Sequence, residues 1–198
     1  MAAAAGVRTS ECALLPVETA TGPERFFATR RFDRDGDRKR HMLTASGLLY
    51  ASHRMPALDY GDLLRATWAI TRHAGEVEQM ARLMVFNALA HNRDDHAKNV
   101  AFLCDAGHWQ LAPGYDLTCS HAGGLADEHT TAFAGAGLPT RRALRKACAP
   151  FPFLDVDGDI ARTLEALSDW ERLCRELEIA PQEATTIATA LRNARKAL

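Results

Sequence analysis

Apolar residues recur at intervals of three and four in two neighbouring segments of this 198-residue chain. This spacing places them on one face of an α-helix and predicts helices over Asp59–His73 and Glu76–His91, separated at Gly75. A shorter helix is predicted over Leu43–Tyr50. The last third of the chain predicts three more helices, over Thr140–Ala149, Gly158–Glu178 and Pro181–Leu198.

The apolar pattern changes to a period of two after residue 99. Val100–Leu103 and Trp109–Ala112 therefore predict a short hairpin, with Asp105–Gly107 as its turn. Charged residues 33–40 predict a turn, and the segment 113–139 predicts a long loop. Another strand is indicated by three phenylalanines, Phe26, Phe27 and Phe32. The predicted fold is mainly α with a small β component (α+β).

Composition narrows the class of protein. The chain has 24 Lys+Arg against 25 Asp+Glu, a formal net charge of −1, which argues against a nucleic-acid binder that depends on bulk positive charge. No apolar run approaches the roughly 18 residues of a membrane span, and the first residues do not resemble a signal peptide. Five scattered cysteines form no C-x-x-C pair, which favours free thiols. We therefore expect a cytoplasmic protein with no membrane partner.

The segment His91–Asn99 concentrates carboxylates, imidazoles, amides and a lysine directly after a predicted helix. Such clusters are usually solvated helix ends, but the spacing of Asp94 and Asn99 reproduces D-x-x-x-x-N of a protein-kinase catalytic loop. Asp116 follows the predicted hairpin, where a second carboxylate can reach a cleft. Phosphoryl transfer needs a base near the acceptor hydroxyl and oxygen ligands for Mg²⁺. Asp94 fits the first role, and Asn99 with Asp116 fits the second.

The same residues resemble the HipA-like serine/threonine kinases of bacterial toxin–antitoxin modules. The matching text is Phe86–Leu89, Asp94–Asn99 as D-x-H-x-K-N, and Leu111–Asp116 ending in Tyr-Asp. The resemblance implies a protein-kinase-like C-terminal lobe that uses ATP and Mg²⁺, with Asp94 as the catalytic base. It implies that Asn99 and Asp116 hold the metal. The nucleotide contacts it implies in this part of the chain are His96, Ala97, Lys98, Asn99, Tyr115 and Asp116.

Upstream, Arg30-Arg31-Phe32-Asp33-Arg34 is similar to the family's hinge segment. The resemblance implies that Arg30, Arg31 and Phe32 contact the nucleotide, with Arg30 standing where the family usually has Glu. No glycine-rich loop precedes Arg25, and the first lysine of the chain is Lys39. We therefore expect an incomplete or missing nucleotide lobe. The expected domains are residues 1–32, a remnant of that lobe with the hinge strand, and 33–198, a helical domain with catalytic loop 91–99 and metal-loop hairpin 100–116.

By resemblance, the chain is expected to be a Ser/Thr protein kinase or its C-terminal fragment, with weak ATP·Mg binding and poor transfer on its own. Its implied partners are a protein substrate of the translation machinery and a HipB-like DNA-binding antitoxin, with DNA reached only through the antitoxin. The alternative is a non-catalytic kinase-like module that binds an antitoxin or another protein. The intact set of Asp94, Asn99 and Asp116 argues against that alternative.

Two other features have simpler interpretations. The segments 33–37 and 155–159 resemble calcium loops, but glycine stands fourth rather than sixth and no Glu follows at position twelve, so turns are predicted. The basic run Arg38–His41 is typical of a solvated loop, with contact to phosphate or nucleic acid as the alternative.

Overall fold

The computed structural model describes residues 1–51, 58–120 and 128–198. Within these residues, the strands are β1 Cys12–Thr19, β2 Gly22–Thr29, β3 Arg34–Asp35, β4 Arg38–Lys39, β5 His41–Thr44, β6 Ala101–Asp105 and β7 His108–Leu111. The helices are α1 Ala45–Leu48, α2 Tyr60–Thr71, α3 Ala74–Leu89, α4 Arg141–Cys148, α5 Val156–Ser168, α6 Trp170–Glu176 and α7 Pro181–Ala197. The predicted fold class, mainly α with small sheets, is confirmed.

The core is built around α3. Every residue from Leu83 to Leu89 is buried, so the C-terminal half of this helix is enclosed on all sides. Helices α2 and α5 and strand β7 pack against it. Fully buried side chains from four helices and the central sheet meet there: Leu63, Leu64, Met80, Met84, Phe102, Leu144 and Ile160. Because α3 is fixed by this packing, the polar loop that follows it starts from a rigid position.

Strand β5 joins the predicted hairpin to make a three-stranded antiparallel sheet, β5-β6-β7. Its register pairs Leu43 with Phe102, and Phe102 in turn pairs with Leu111. The hairpin turn is two residues, Ala106 and Gly107, both at positive φ, which matches the twist of the flanking strands. The predicted helix over 43–50 was therefore too long, because its first two residues complete this sheet.

A second hairpin, β1–β2, precedes the sheet and pairs Leu14 with Phe27 and Leu15 with Phe26. The side chains of these four residues are 41–70% exposed. Phe32 lies beyond the end of β2, so the predicted strand ends earlier than expected. Between the two sheets, β3 and β4 form a two-residue ladder around Gly36, within the charged turn predicted from the sequence.

Helix boundaries differ from the prediction at two places. The break between α2 and α3 lies at Arg72, which takes a left-handed conformation (φ 52°), and Gly75 belongs to the first turn of α3. The predicted helix over 158–178 is two helices that meet at Asp169. The first of them begins before Gly158, because Asp155 caps it by accepting a hydrogen bond from the Gly158 N–H.

Candidate active site

The polar segment 91–99 forms a tight loop between α3 and β6. At its start, the Asn92 N–H donates to the Asn87 carbonyl at 3.0 Å, so the chain turns away from α3 at once. At its end, the carbonyls of Ala97 and Val100 accept hydrogen bonds of 2.9 and 2.8 Å from the backbone of the α1 turn. The loop is therefore held at both ends by the buried framework.

Asn99 closes this loop on Asp94. Its Nδ2 donates to the Asp94 carbonyl oxygen at 2.9 Å, and its backbone N–H donates to the His96 carbonyl at 2.8 Å. Because the amide nitrogen is used within the loop, Oδ1 of Asn99 is the atom left to act as a ligand. The Asp94 side chain is 62% exposed, and its Oδ1 lies 3.7 Å from Nε2 of His96. The loop thus carries both an open carboxylate and an amide oxygen.

The segment after β7 brings Tyr115 and Asp116 to the same loop. The Tyr115 hydroxyl donates to the Lys98 carbonyl oxygen, which ties this segment to the residue before Asn99. Burial, helped by the charge of Asp116, raises the pKa of Tyr115 to about 12, so the phenol remains a donor at neutral pH. Asp116 is exposed and has a φ of 54°, a left-handed conformation that Asp adopts more readily than most residues.

Phe32 connects the hinge segment to this site. Its ring lies 5.3 Å from the Tyr115 ring, centroid to centroid, at a tilt of 44°. Both rings pack on a small apolar cluster at the end of the sheet, formed by Ala101, Leu103 and Ala112. Phe32 of the predicted hinge, Tyr115 and the loop 91–99 are therefore joined through direct contacts.

A second carboxylate of the loop, Asp95, points into the protein, and its side chain is only 1% exposed. Its Oδ2 accepts the Tyr60 hydroxyl at 2.8 Å and lies 3.0 Å from Nδ1 of His129, while its Oδ1 accepts the Thr131 N–H at 3.1 Å. Three hydrogen-bonding groups from two distant parts of the chain thus meet at one carboxylate. Asp95 anchors the loop from below, and its neighbour Asp94 faces solvent.

The buried network extends beyond Asp95 into α3. Nδ2 of Asn87 donates to the Tyr60 hydroxyl at 2.8 Å, and Nδ2 of Asn92 donates to Oδ1 of Asn87 at 3.0 Å. All of these groups are 6% exposed or less, so each hydrogen bond replaces one to water. The network fixes the loop to α2, to α3 and to the segment that contains His129.

Comparison with known proteins identifies the family of this chain. The family model described as the HipA-like C-terminal domain matches residues 1–198. This chain belongs to that family. Among solved structures, it is similar to HipA in the complex of the Shewanella oneidensis MR-1 toxin–antitoxin system, HipA, HipB and operator DNA. The match has a TM-score of 0.72 and 16% identity, and it covers 98% of this chain and 51% of that chain. No curated protein matches the chain.

This HipA-like domain therefore spans about half the length of the HipA chain whose fold it shares. Within the described ranges, no helix has the length and apolar character needed to cross a membrane. All five cysteines are free.

The structure brings most of the predicted site residues together. Asp94, Asn99, Lys98, Tyr115 and Phe32 are linked by the contacts above, and Asp116 adjoins them in the chain. The predicted hinge arginines are engaged elsewhere: Nη1 of Arg30 lies 3.3 Å from Oε2 of Glu11, and the fork of Arg31 binds Asp33 at 2.6 and 2.8 Å. The Arg30 N–H also donates to the Glu11 carbonyl. For either guanidinium to contact a nucleotide, its ion pair with Glu11 or Asp33 would have to break.

The sequence prediction missed Asp95, Tyr60 and His129. Asp95 lies inside the D-x-H-x-K-N segment, but nothing local in the sequence indicates that its carboxylate is buried. The partners come from residues 34 to 36 positions away, and this separation hides the network from local patterns.

Proposed function

We propose that this HipA-like domain is the catalytic-loop lobe of an ATP-dependent Ser/Thr protein kinase. The observation that supports this most directly is the hydrogen bond from Asn99 Nδ2 to the Asp94 carbonyl, which sets an open carboxylate and an amide oxygen on one short loop. Catalysis of phosphoryl transfer consists almost entirely of positioning and charge stabilisation, and it needs a base at the acceptor hydroxyl with oxygen ligands for the metal.

In the proposed reaction, Asp94 orients the acceptor hydroxyl of a protein substrate and accepts its proton. Its exposure suits this role, because a protein side chain can reach it without any rearrangement of the loop. Asn99 Oδ1 and the Asp116 carboxylate would hold Mg²⁺, which uses one or two carboxylates together with substrate phosphates in such sites. When bound, Mg²⁺ would neutralise charge on the phosphates. Lys98, exposed beside Asn99, would add a positive charge.

The β1–β2 hairpin supports the proposal that a further lobe completes this kinase. Large apolar side chains lie open on both faces of the two-stranded sheet: Leu14 and Phe27 on one face, and Leu15, Val17 and Phe26 on the other. A two-stranded sheet has little stability of its own, and an apolar surface of this kind is typical of an interface. Since the matching family model is a C-terminal domain and the structural match covers about half of the HipA chain, we propose that a nucleotide-binding β-sheet lobe docks here.

We further propose a HipB-like DNA-binding antitoxin as a regulatory partner, with DNA contacted through that protein. The solved HipA chain of the same fold is found in a complex with HipB and operator DNA. The substrate we propose is a protein of the translation machinery, phosphorylated on a serine or threonine hydroxyl.

The proposed metal–nucleotide site can be tested directly on this chain. A titration of ¹⁵N-labelled protein with ATP and Mg²⁺, followed by NMR, should shift the signals of Asn99 and Asp116. ATP without Mg²⁺ should shift them less, and the Asn99→Ala variant should lose the Mg²⁺-dependent part. A matched control is Asn193→Ala on α7, which should behave as the wild type. Unchanged Asn99 and Asp116 signals at millimolar ATP·Mg would contradict the proposal.

A further inference from the structure

Several arginine side chains line one cleft of about 430 Å³ beside β3 and β4. They are Arg30, Arg31, Arg34, Arg38 and Arg40, and we refer to this space as the arginine cleft. Three carboxylates share its wall, those of Glu11, Asp35 and Asp105. The volume lies in the range of small-molecule sites, and the positive groups outnumber the negative ones.

Four of these arginines already face a carboxylate. The pairs are Arg30 with Glu11 at 3.3 Å, Arg31 with Asp33 at 2.6 Å, Arg34 with Asp33 at 3.6 Å and Arg38 with Asp105 at 2.6 Å. Both oxygens of Asp33 are taken by Arg31, which lowers the pKa of that carboxyl. The more distant Arg34 therefore shares an oxygen that is already bound.

Arg40 differs from the other four. Across the described parts of the chain, no carboxylate lies within ion-pair distance of its guanidinium, and its Nε is buried without a hydrogen-bond partner. Its Nη1 reaches only the Phe32 carbonyl, at 3.5 Å, the outer limit for a hydrogen bond. An arginine does not become neutral by losing a proton in a protein. A half-buried guanidinium without a counter-charge therefore costs folding free energy. A bound anion would supply the counter-charge that Arg40 lacks.

The surroundings of Arg40 leave it accessible and do not neutralise it. A second open cleft, of about 770 Å³, shares Arg38, Arg40 and Asp105 with the first, so Arg40 can be reached from two sides. The two acids on that side are occupied: Glu76 binds Arg8 at 2.6 Å, and Asp105 binds Arg38.

We propose that the arginine cleft binds the phosphate group of a small phosphorylated molecule, with Arg40 as the central contact and Arg34 beside it. Phosphate is favoured because its oxygens match the planar fork of a guanidinium and its double charge suits more than one arginine. The described lining residues include none of the proposed catalytic and metal-binding residues Asp94, Asn99 and Asp116, but they include Arg30, Arg31 and Phe32 of the predicted hinge, so the phosphate site adjoins the proposed nucleotide site. The sequence pattern favoured a solvated loop for the basic run Arg38–His41. This proposal instead gives Arg40 of that run a direct contact with phosphate.

The test is calorimetric titration of the protein with inorganic phosphate and with pyrophosphate, without Mg²⁺ and at constant ionic strength. Saturable binding is expected, and Arg40→Gln should weaken it at least about tenfold, the loss expected for one charge-assisted hydrogen bond. Arg65→Gln is the matched control, since this exposed arginine on α2 pairs with Asp62 outside the cleft. Asp116→Asn should also leave phosphate binding unchanged, which separates this result from failure of the kinase proposal.

A parallel titration with the mononucleotide AMP shows whether the bound phosphate belongs to a nucleotide. Tighter binding of AMP than of phosphate would indicate a nucleotide ligand, whereas equal binding would indicate recognition of phosphate alone, and both support the site. Should Arg40→Gln fold poorly, the Arg40 side-chain Nε–Hε signal of the wild type, assigned with Arg40→Lys, should shift during the titration. The proposal is overturned by heats no larger than those of chloride, by equal binding to Arg40→Gln, or by an unmoved Arg40 signal.

Discussion

The Tyr60 hydroxyl donates a 2.8 Å hydrogen bond to the buried carboxylate of Asp95, and this bond joins the first residue of α2 to the loop 91–99. Burial, and next the charge of Asp95, raises the pKa of Tyr60 well above its ordinary value, so the phenol is a permanent donor. The same carboxylate receives the Thr131 N–H and lies beside His129. The position of Asp94, one residue earlier, therefore depends on a polar network buried inside the protein.

Substitutions of the two adjacent aspartates, Asp94 and Asp95, should differ strongly in their effect on stability. Asp95→Ala is expected to lower the free energy of unfolding by about 3 kcal/mol or more, because it leaves several buried polar groups without their acceptor. Asp94→Ala should change it by no more than about 0.5 kcal/mol, because that side chain is 62% exposed. Urea unfolding followed by circular dichroism measures both. Equal losses in the two variants would show that the network does not hold the loop.

The chain offers a matched tyrosine pair for the bond between Tyr60 and Asp95. Tyr60→Phe should lower the free energy of unfolding by about 1–3 kcal/mol, since Asp95 loses a donor and Asn87 loses its acceptor. Tyr50→Phe, at a tyrosine that is 97% exposed, should have almost no effect. A loss of similar size at both positions in urea titrations would contradict this account.

The helices were predictable because their apolar stripes are local, and α2, α3, α4 and α7 agree with the sequence pattern to within a few residues. The β6–β7 hairpin was predictable for the same reason, through its turn at Ala106-Gly107. Strand β5 was not, because its partner β6 lies about 60 residues further along the chain. Its four residues carry no alternation strong enough to outweigh a helix signal at Thr44, which in the structure caps α1.

In the candidate site, too, the local features were predictable from the sequence and the long-range contacts were not. Asp94 and Asn99 were identified from their spacing within one loop, and the hydrogen bond between them is local. The burial of Asp95 was not predicted, because the residues that surround its carboxylate, such as Tyr60 and His129, are distant in the chain. The arginine cleft likewise brings Arg30, Arg40 and Asp105 together from three separate segments.

Asp94→Asn should remove phosphoryl transfer while the fold is retained. In a version of the protein supplied with a nucleotide-binding lobe, loss of the base is expected to reduce the rate at least about 10²-fold. Transfer of ³²P from labelled ATP to a protein acceptor measures this, and Asp62→Asn on the outer face of α2 is a matched control. Activity retained by Asp94→Asn would show that another group is the base.

Substitution of an exposed apolar residue of the β1–β2 hairpin should weaken the docking of a partner lobe and leave the stability of the domain unchanged. Phe27 is 70% exposed, so Phe27→Ser should change the unfolding free energy by less than about 0.5 kcal/mol, whereas Phe102→Ala in the core should cost about 3–5 kcal/mol. If a separate lobe docks on the hairpin, Phe27→Ser should weaken its capture in a pull-down with purified HipA N-terminal lobe. Undiminished capture by Phe27→Ser would place the docking surface elsewhere.

Tyr115 gives a pH-dependent test of the link between the segment after β7 and Lys98. Its folded pKa, about 12, lies above the unfolded value near 10, so the folded protein binds the extra proton between these values. The stability that depends on the protonated phenol, whose pKa is raised by burial and by the Asp116 charge, is thus fully present below pH 10 and is lost as pH rises toward 12. Tyr115→Phe should be less stable than wild type by about 1 kcal/mol at pH 8, and the difference should shrink in urea titrations between pH 10 and 12. A difference that stays constant across this window would mean that the hydroxyl of Tyr115 ionises equally in both states.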